Sequence, residues 1–294
     1  WKIQTSFLQN WPNFLRQRHR YLLPFMPSAI ESFNFSNFDV VISDSNSFAK
    51  GLISPPGATH ICYCHSPTRY LWDWYHQYLL ENNLQGVKGN LSRLVLHFLR
   101  MWDQSAAKRV DFFIANSQTT QKRIKKYYQA ESAVIYPPVE TNKFKIAKKP
   151  ADYFLIVSRL SPYKNIALAV RVFGQLKLPL LIIGEGSQKK ALENIIKSQK
   201  LPNIKLLGWQ NDEQMIKYYE NCQALIFPGE EDFGIVPVEA MASGRPVIAY
   251  RGGGALETIV EGETGVFFDQ QTEIDLCLAI GKLEQITFDP QAIR

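Results

Sequence analysis

The chain has 294 residues, 46% of them hydrophobic, with no low-complexity tract, which suits one large globular domain or two ordinary ones. Its longest apolar runs, such as 178-LPLLIIG-184, are far too short to span a bilayer. The four scattered cysteines, Cys62, Cys64, Cys222 and Cys277, argue for a reducing, cytoplasmic setting over a disulfide framework. The net charge of +6 is unevenly spread: residues 1–150 hold 19 Lys/Arg against 9 Asp/Glu, and residues 151–294 hold 14 against 18. A basic half suggests an anionic partner, with nucleic acid, an anionic membrane and phosphorylated substrates all compatible.

No signal-peptide pattern opens the chain, and 1-WKIQTSFLQNW lacks an initiator methionine, so a fragment or a processed product is expected. In the first half, 39-DVVISD, 60-HICYCH, 111-DFFIANS and 133-AVIYPP read as strands. His60, Cys62 and Cys64 alternate and share one strand face, where they cannot close a tetrahedron around zinc; a core role is expected. His65 ends its strand and is the better functional candidate. The aromatics after it, in 66-SPTRYLWDWYHQY-78, suit either sugar stacking or the core. The stretch 91-LSRLVLHFLRMWDQSAAKR-109 carries an apolar stripe beside basic residues, which fits a core-packing helix or one lying on a membrane surface. Residues 118-QTTQKRIKKYY-128 form a helix capped by Ser117.

The lysine- and proline-rich segment 137–152 reads as a linker, so the domains are placed at 1–145 and 146–294. In the second, the strands 153-YFLIVS, 180-LLIIG, 204-IKLLG, 224-ALIFP and 246-PVIAY alternate with helices over 165–176, 187–199 and 212–222. This alternation predicts an α/β fold: two Rossmann-like domains with parallel sheets, expected to face each other across a cleft.

Three stretches of the second half carry candidate chemistry. In 157-VSRLSPYKN-165, Arg159 and Lys164 flank a Ser-Pro turn at the carboxyl edge of the sheet, where two cations can neutralise a diphosphate. In 228-PGEEDFGIVPVEAMASGRPVIAY-250, Pro237 and Gly244 bound a predicted short helix over 237–243, with Glu239 in its first turn and Glu231 in the loop before it. A helix start suits phosphate. Carboxylates beside it would repel phosphate and suit hydroxyl donors, as on a sugar and a ribose. The glycine turn 184-GEGS-187 lacks the full dinucleotide fingerprint and a P-loop lysine, while 252-GGGALETIVEG-262 is a further place for close approach to a ligand.

Taken together, Arg159 with Lys164, the Glu-x7-Glu spacing from Glu231 to Glu239 around Phe233-Gly234, 262-GETGVFF-268, 114-IANS-117 and 135-IYPPV-139 resemble the family 4 glycosyltransferases of the GT-B fold. The segment 60-HICYCHSPTRYLW-72 is similar to a subgroup that includes bacterial mannosyltransferases of polysaccharide and O-antigen assembly. The resemblance implies a retaining, metal-independent hexosyltransferase without a cofactor, moving mannose from GDP-mannose to a glycan or lipid-linked acceptor. Nucleic acid is then no partner, and the basic first half is expected to bring the chain peripherally to an anionic membrane. It also implies that Arg159 and Lys164 bind the donor diphosphate. Glu231 would contact the sugar hydroxyls with the backbone N–H groups of Phe233, Gly234 and Ile235, and Glu239 would hold the ribose. Leu207, Gly208 and Trp209 would lie near the base, and His65 would face the reacting sugar. Asp232 stands where the family usually has glycine, and the family's first strand and glycine-rich loop would precede residue 1. Alternatives are a GT-B nucleotide-sugar epimerase, which needs acid/base carboxylates in the first domain, and a catalytically silent sugar-nucleotide-binding module.

Overall fold

Short apolar runs bounded by turns become strands, and a computed structural model describes residues 3–16 and 19–294. The chain forms two compact units, residues 1–136 and 137–294. The first holds a four-stranded sheet in the order β1 (Val40–Ser45), β2 (Thr59–Cys64), β3 (Phe112–Ala115), β4 (Ser132–Val134). The second contains β5 (Phe154–Val157), β6 (Leu180–Ile183), β7 (Ile204–Gly208), β8 (Leu225–Phe227), β9 (Val247–Tyr250) and β10 (Gly265–Phe268), arranged β10-β9-β8-β5-β6-β7. Every pairing in both sheets is parallel. The nine strands expected from sequence are all present. The tenth, β10, lies in the 262–268 run, which the sequence marks as a motif and not as a strand.

Helices of eight residues or more among the described residues are α1 (Gly86–Ala107), α2 (Gln118–Tyr128), α3 (Ile166–Leu176), α4 (Lys189–Ser198), α5 (Asp212–Asn221), α6 (Ile235–Ala242) and α7 (Glu273–Glu284). Ser117 caps α2 as the sequence suggests, its hydroxyl accepting from the Thr120 N–H at 3.0 Å. In the second unit the strands are apolar on both faces, as a parallel sheet covered on both sides requires. Phe154, Ile156 and Ile182 pack with Phe173 of α3 and Leu276 and Ile280 of α7. Leu155, Leu225 and Phe227 pack on the other face with Tyr219 of α5 and Ala240 and Met241 of α6.

Residues 137–145, placed from sequence in the first domain, belong to the second unit. Phe144 is the reason. It is buried edge-on against Tyr219, with ring centroids 6.1 Å apart, and the Arg294 guanidinium donates to the carbonyls of Phe144 and Thr141. A run of lysines hid one apolar anchor.

The first unit is organised around a buried carboxylate. Asp103 on α1 is 1% exposed and pairs with Lys50, also 1% exposed. It further accepts from Thr68 Oγ1 at 2.8 Å, Trp72 Nε1 at 2.8 Å and Tyr128 Oη at 2.9 Å. Four donors satisfy both carboxylate oxygens, and they tie the segment after β2 to α1 and α2. His60 is fully buried with Nε2 2.8 Å from Ser43 Oγ, and burial pulls its imidazole below the ordinary value. Cys62 and Cys64 join the core with Phe113 and Ile124, in keeping with the core reading.

Removing one partner of a buried ion pair leaves an uncompensated charge. Lys50→Met is therefore expected to lower the unfolding free energy of the first unit by about 3–5 kcal/mol. Urea melts followed by the fluorescence of Trp72 and the other indoles check this; a midpoint equal to wild type would show that Asp103 does not depend on Lys50.

Candidate functional site

The chain runs outward from β5 to β6 and β7, then returns to β8 on the other side of β5. Strand order thus reverses between β5 and β8, and the loops leaving their carboxyl ends diverge there, where open parallel sheets bind ligands. The loop after β5 carries Arg159 and Lys164; the loop after β8 carries Glu231.

The two loops meet in an ion pair between Lys164 Nζ and Glu231 Oε1. Lys164 is only 9% exposed, and its ammonium also lies 5.0 Å from the Tyr163 ring centroid. Its backbone is fixed by a 3-10 turn over Pro162–Lys164 and by Asn165 in the left-handed region at φ 50°. Gly229 lets the second loop come this close, since a Cβ there would stand 2.8 Å from Lys164 Cα. Arg159 is exposed, with no ion pair or side-chain hydrogen bond among the described residues. The structure therefore joins Lys164 to Glu231 and leaves Arg159 reaching into solvent.

The predicted helix over 237–243 begins two residues earlier, at Ile235. Gly234 caps it at φ 84°, a conformation open to glycine. Pro237 becomes the third helical residue, still within the turn whose N–H groups have no intrahelical acceptor, so its missing donor costs no bond. Glu239 consequently sits in the second turn of α6, not the first. Phe233 is buried and Ile235 exposed at the helix start. The first-turn N–H groups and the positive end of the helix dipole form an anion-friendly corner beside the Lys164–Glu231 pair.

Glu239 does not face Glu231 as an equivalent partner. Its Oε2 accepts from the buried Tyr219 hydroxyl at 2.8 Å. Burial pushes the Glu239 carboxyl above its ordinary value, the tyrosine bond opposes this, and Asp212 adds repulsion. Burial likewise pushes the Tyr219 phenol far up, with Glu239 and, to a smaller degree, Glu231 acting in the same direction. One carboxylate is thus held by a cation and the other by a phenol.

Gly208 ends β7 at φ 70°, and its carbonyl accepts from the Gly184 N–H at 2.8 Å. Trp209 beyond it is 74% exposed. The 184–187 glycines serve packing: a Cβ on Gly186 would lie 2.3 Å from the Leu160 carbonyl oxygen. The 252–254 run is similar, since a Cβ on Gly254 would stand 2.3 Å from the Phe233 carbonyl oxygen, and the Gly254 N–H donates to the Glu231 carbonyl at 2.9 Å. The 252–254 glycines pack against the backbone of the candidate loop itself.

His65 belongs to the first unit, at the carboxyl end of β2. Its imidazole Nε2 pairs with Asp44 Oδ1 near the end of β1, and the Tyr63 ring meets it edge-on with centroids 5.3 Å apart. The Thr120 hydroxyl donates to the His65 carbonyl at 3.0 Å. Asp44 and Tyr219 escaped the sequence reading. An acid near the carboxyl end of the predicted strand 39-DVVISD was a usable signal for Asp44, whereas nothing in 212-DEQMIKYYENC-222 distinguishes Tyr219 from Tyr218.

The chain matches the family described as glycosyl transferases group 1 over residues 138–291, more than half its length. The chain belongs to this family. A second match, to glycosyltransferase family 4, covers residues 6–143. Among relatives of this transferase family, it is 26% identical to a Dictyostelium discoideum alpha-1,3/1,6-mannosyltransferase, ALG2, across 85% of this chain and 68% of the relative. Among solved structures, sucrose-phosphate synthase from Thermosynechococcus elongatus aligns with a TM-score of 0.74 at 20% identity, covering 100% of this chain and 75% of that one. Anabaena HepE in complex with UDP and glucose aligns at 0.58 and 18% identity, covering 92% and 86%. These likenesses and the two parallel-sheet units give the GT-B fold. The chain spans 45% to 68% of the length of these and other curated relatives it matches.

A carboxylate raised by burial adds stability below its unfolded-state pKa, and that share is lost as pH rises through the folded value. At neutral pH, ionised Glu239 therefore costs stability. Glu239→Gln, which keeps an acceptor for Tyr219, is expected to raise the melting temperature at pH 7, with the gain shrinking below the ordinary carboxylate range. Thermal melts across pH check this; a lower melting temperature at pH 7 would mean that the charge, not its burial, dominates.

Proposed function

We propose that the chain is a retaining, metal-independent glycosyltransferase that moves a hexose from a nucleoside diphosphate donor to a hydroxyl of a glycan or lipid-linked acceptor. The observation that carries this is the Lys164–Glu231 pair at the strand-order reversal, beside the start of α6. A cation and helix N–H groups suit the diphosphate, and the carboxylate suits the hydroxyls attached to it. Mannose from GDP-mannose is the proposed donor, supported by the mannosyltransferase relative; HepE, bound to UDP and glucose, supports the nucleotide-sugar class. A peripheral association with anionic membrane belongs to the same proposal, bringing the enzyme to a lipid-linked acceptor.

In this reading the bond between the anomeric carbon and the donor phosphate oxygen breaks, and its electron pair leaves with the nucleoside diphosphate. The acceptor oxygen forms the new bond on the same face, and its proton passes to the departing phosphate. Arg159, Lys164 and the α6 dipole stabilise the growing charge in a preorganised site, supplying what a divalent cation would otherwise provide. Glu231 holds the sugar hydroxyls, and Glu239, with one oxygen kept by Tyr219, holds the ribose. Gly208 and Trp209 border the base.

The two glutamates are expected to fail differently. Glu231→Gln does not weaken GDP, which lacks the sugar and no longer competes with a carboxylate for Lys164, yet severely impairs transfer from GDP-mannose. Glu239→Gln weakens GDP itself by about 1.5–3 kcal/mol, the scale of a charged hydrogen bond. Calorimetry with GDP beside a transfer assay separates them, and two variants that bind and turn over like wild type would refute the assignment. Lys164→Ala is expected to slow turnover by about 10²–10³, the usual loss on removing one transition-state stabiliser. Steady-state kinetics with near-wild-type kcat would reduce Lys164 to a partner of Glu231 alone.

A further inference from the structure

The helix α1 is apolar on two opposite sides. One line, Gly89, Leu96, Leu99 and Ala106, is buried against the rest of the first unit beside the paired Asp103. On the opposite side, Val87, Leu91, Leu94, Phe98 and Met101 are 53–86% exposed. At about 100° per residue these five fall within an arc of about 80° and run about 21 Å along the helix. A solvent-facing stripe normally carries polar residues, so an apolar one of this length calls for a covering partner.

Charge selects that partner. Between Glu81 and Asp103 there is no acidic residue, and Asp103 is buried. Lys88 flanks the stripe on one side, while Asn90, Arg93 and His97 flank it on the other, all exposed. A second copy meeting along the same stripe would set these basic flanks against each other, whereas helix pairing at this 4-3 spacing relies on opposite charges beside the seam. An anionic lipid surface takes both features at once: apolar side chains enter the acyl boundary, and basic side chains reach back to the headgroups. No described helix is long and apolar enough to cross a membrane, so α1 would lie in the plane.

We propose that the exposed Val87–Met101 stripe of α1 is the surface by which the first unit docks on an anionic membrane. This deepens the proposed function and rests on it for its purpose, presenting the enzyme to a lipid-linked acceptor. Docking itself rests on α1 alone.

The test is co-sedimentation of the full chain with phosphatidylcholine vesicles, with and without phosphatidylglycerol, at low and high salt. The expected result is binding to anionic vesicles that weakens with salt. Leu94→Glu/Phe98→Glu should lose partitioning by about tenfold or more. Both positions are exposed, so the melting temperature and GDP affinity should stay at wild-type values. Anionic-vesicle binding that survives the double variant, equal binding to neutral vesicles, or none at low salt would each overturn the proposal. A concentration-dependent dimer in sedimentation velocity, abolished by the same variant without vesicle binding, would assign the stripe to self-association and overturn it too. Vesicle binding is read without transfer. A chain that docks but does not bind GDP would contradict the transferase reading and leave the docking surface standing.

Discussion

Parallel pairing sends every strand of a sheet in one direction, so each connection must cross back over a face and each functional loop emerges at the same edge. In the second unit the reversal of strand order between β5 and β8 adds a gap at that edge, because successive loops there turn away from each other. Lys164 and Glu231 are 67 positions apart in the chain and become neighbours only through this topology. The glycines around them belong to the same constraint. Gly229 admits the second loop to the first, and Gly254 lets the loop after β9 brace the backbone of Glu231 and Phe233. The edge is crowded with backbone, and the side chains at 159, 164, 209 and 231 are among those carried by its loops.

The two carboxylates of the Glu-x7-Glu spacing show how the same residue type takes on different character. Glu231, in a loop, has an ammonium for a partner. Glu239, one turn into a helix, has only a phenol and sits where burial works against its charge. Glu239 is placed by α6, whose start is set by Gly234 and not by the proline, while Glu231 lies in the loop before it. The first unit solves a comparable problem by different means. Asp103 collects four donors, so a fully buried charge carries no unmet hydrogen bond, and the stretch from Thr68 to Trp72, just beyond His65, is held to the helices behind it.

Much of this was legible in the sequence, and for identifiable reasons. Strands with continuous apolar runs, such as 180-LLIIG and 224-ALIFP, could hardly be anything but buried parallel strands, and turn residues bounded them. Ser117 announced α2. Arg159, Lys164, Glu231 and Glu239 were visible because polar residues of the right type stood at strand ends or beside a helix signal. What stayed hidden depended on three-dimensional company. The start of α6 was misplaced because Pro237 is a strong start signal, while Gly234 acts only through its φ. Phe144 was lost among lysines. Tyr219 carries no local mark of its contact, and the sequence leaves the stripe of α1 open between core packing and a membrane surface until the opposite face is seen to be the buried one.

For the proposed donor site, the Lys164–Glu231 contact also has a thermodynamic consequence for selectivity. An empty site that contains its own counter-ion is already screened. A small anion arriving alone gains Lys164 only by displacing Glu231, whose carboxylate then loses its partner in a half-buried place. A hydroxyl-bearing neutral molecule faces the mirror-image cost at Lys164. A ligand that carries both an anion and hydroxyls exchanges partners at the two groups together, and neither is left bare. The ion pair thus works as a two-key lock: its own strength sets the penalty for any molecule that brings one half of the required chemistry.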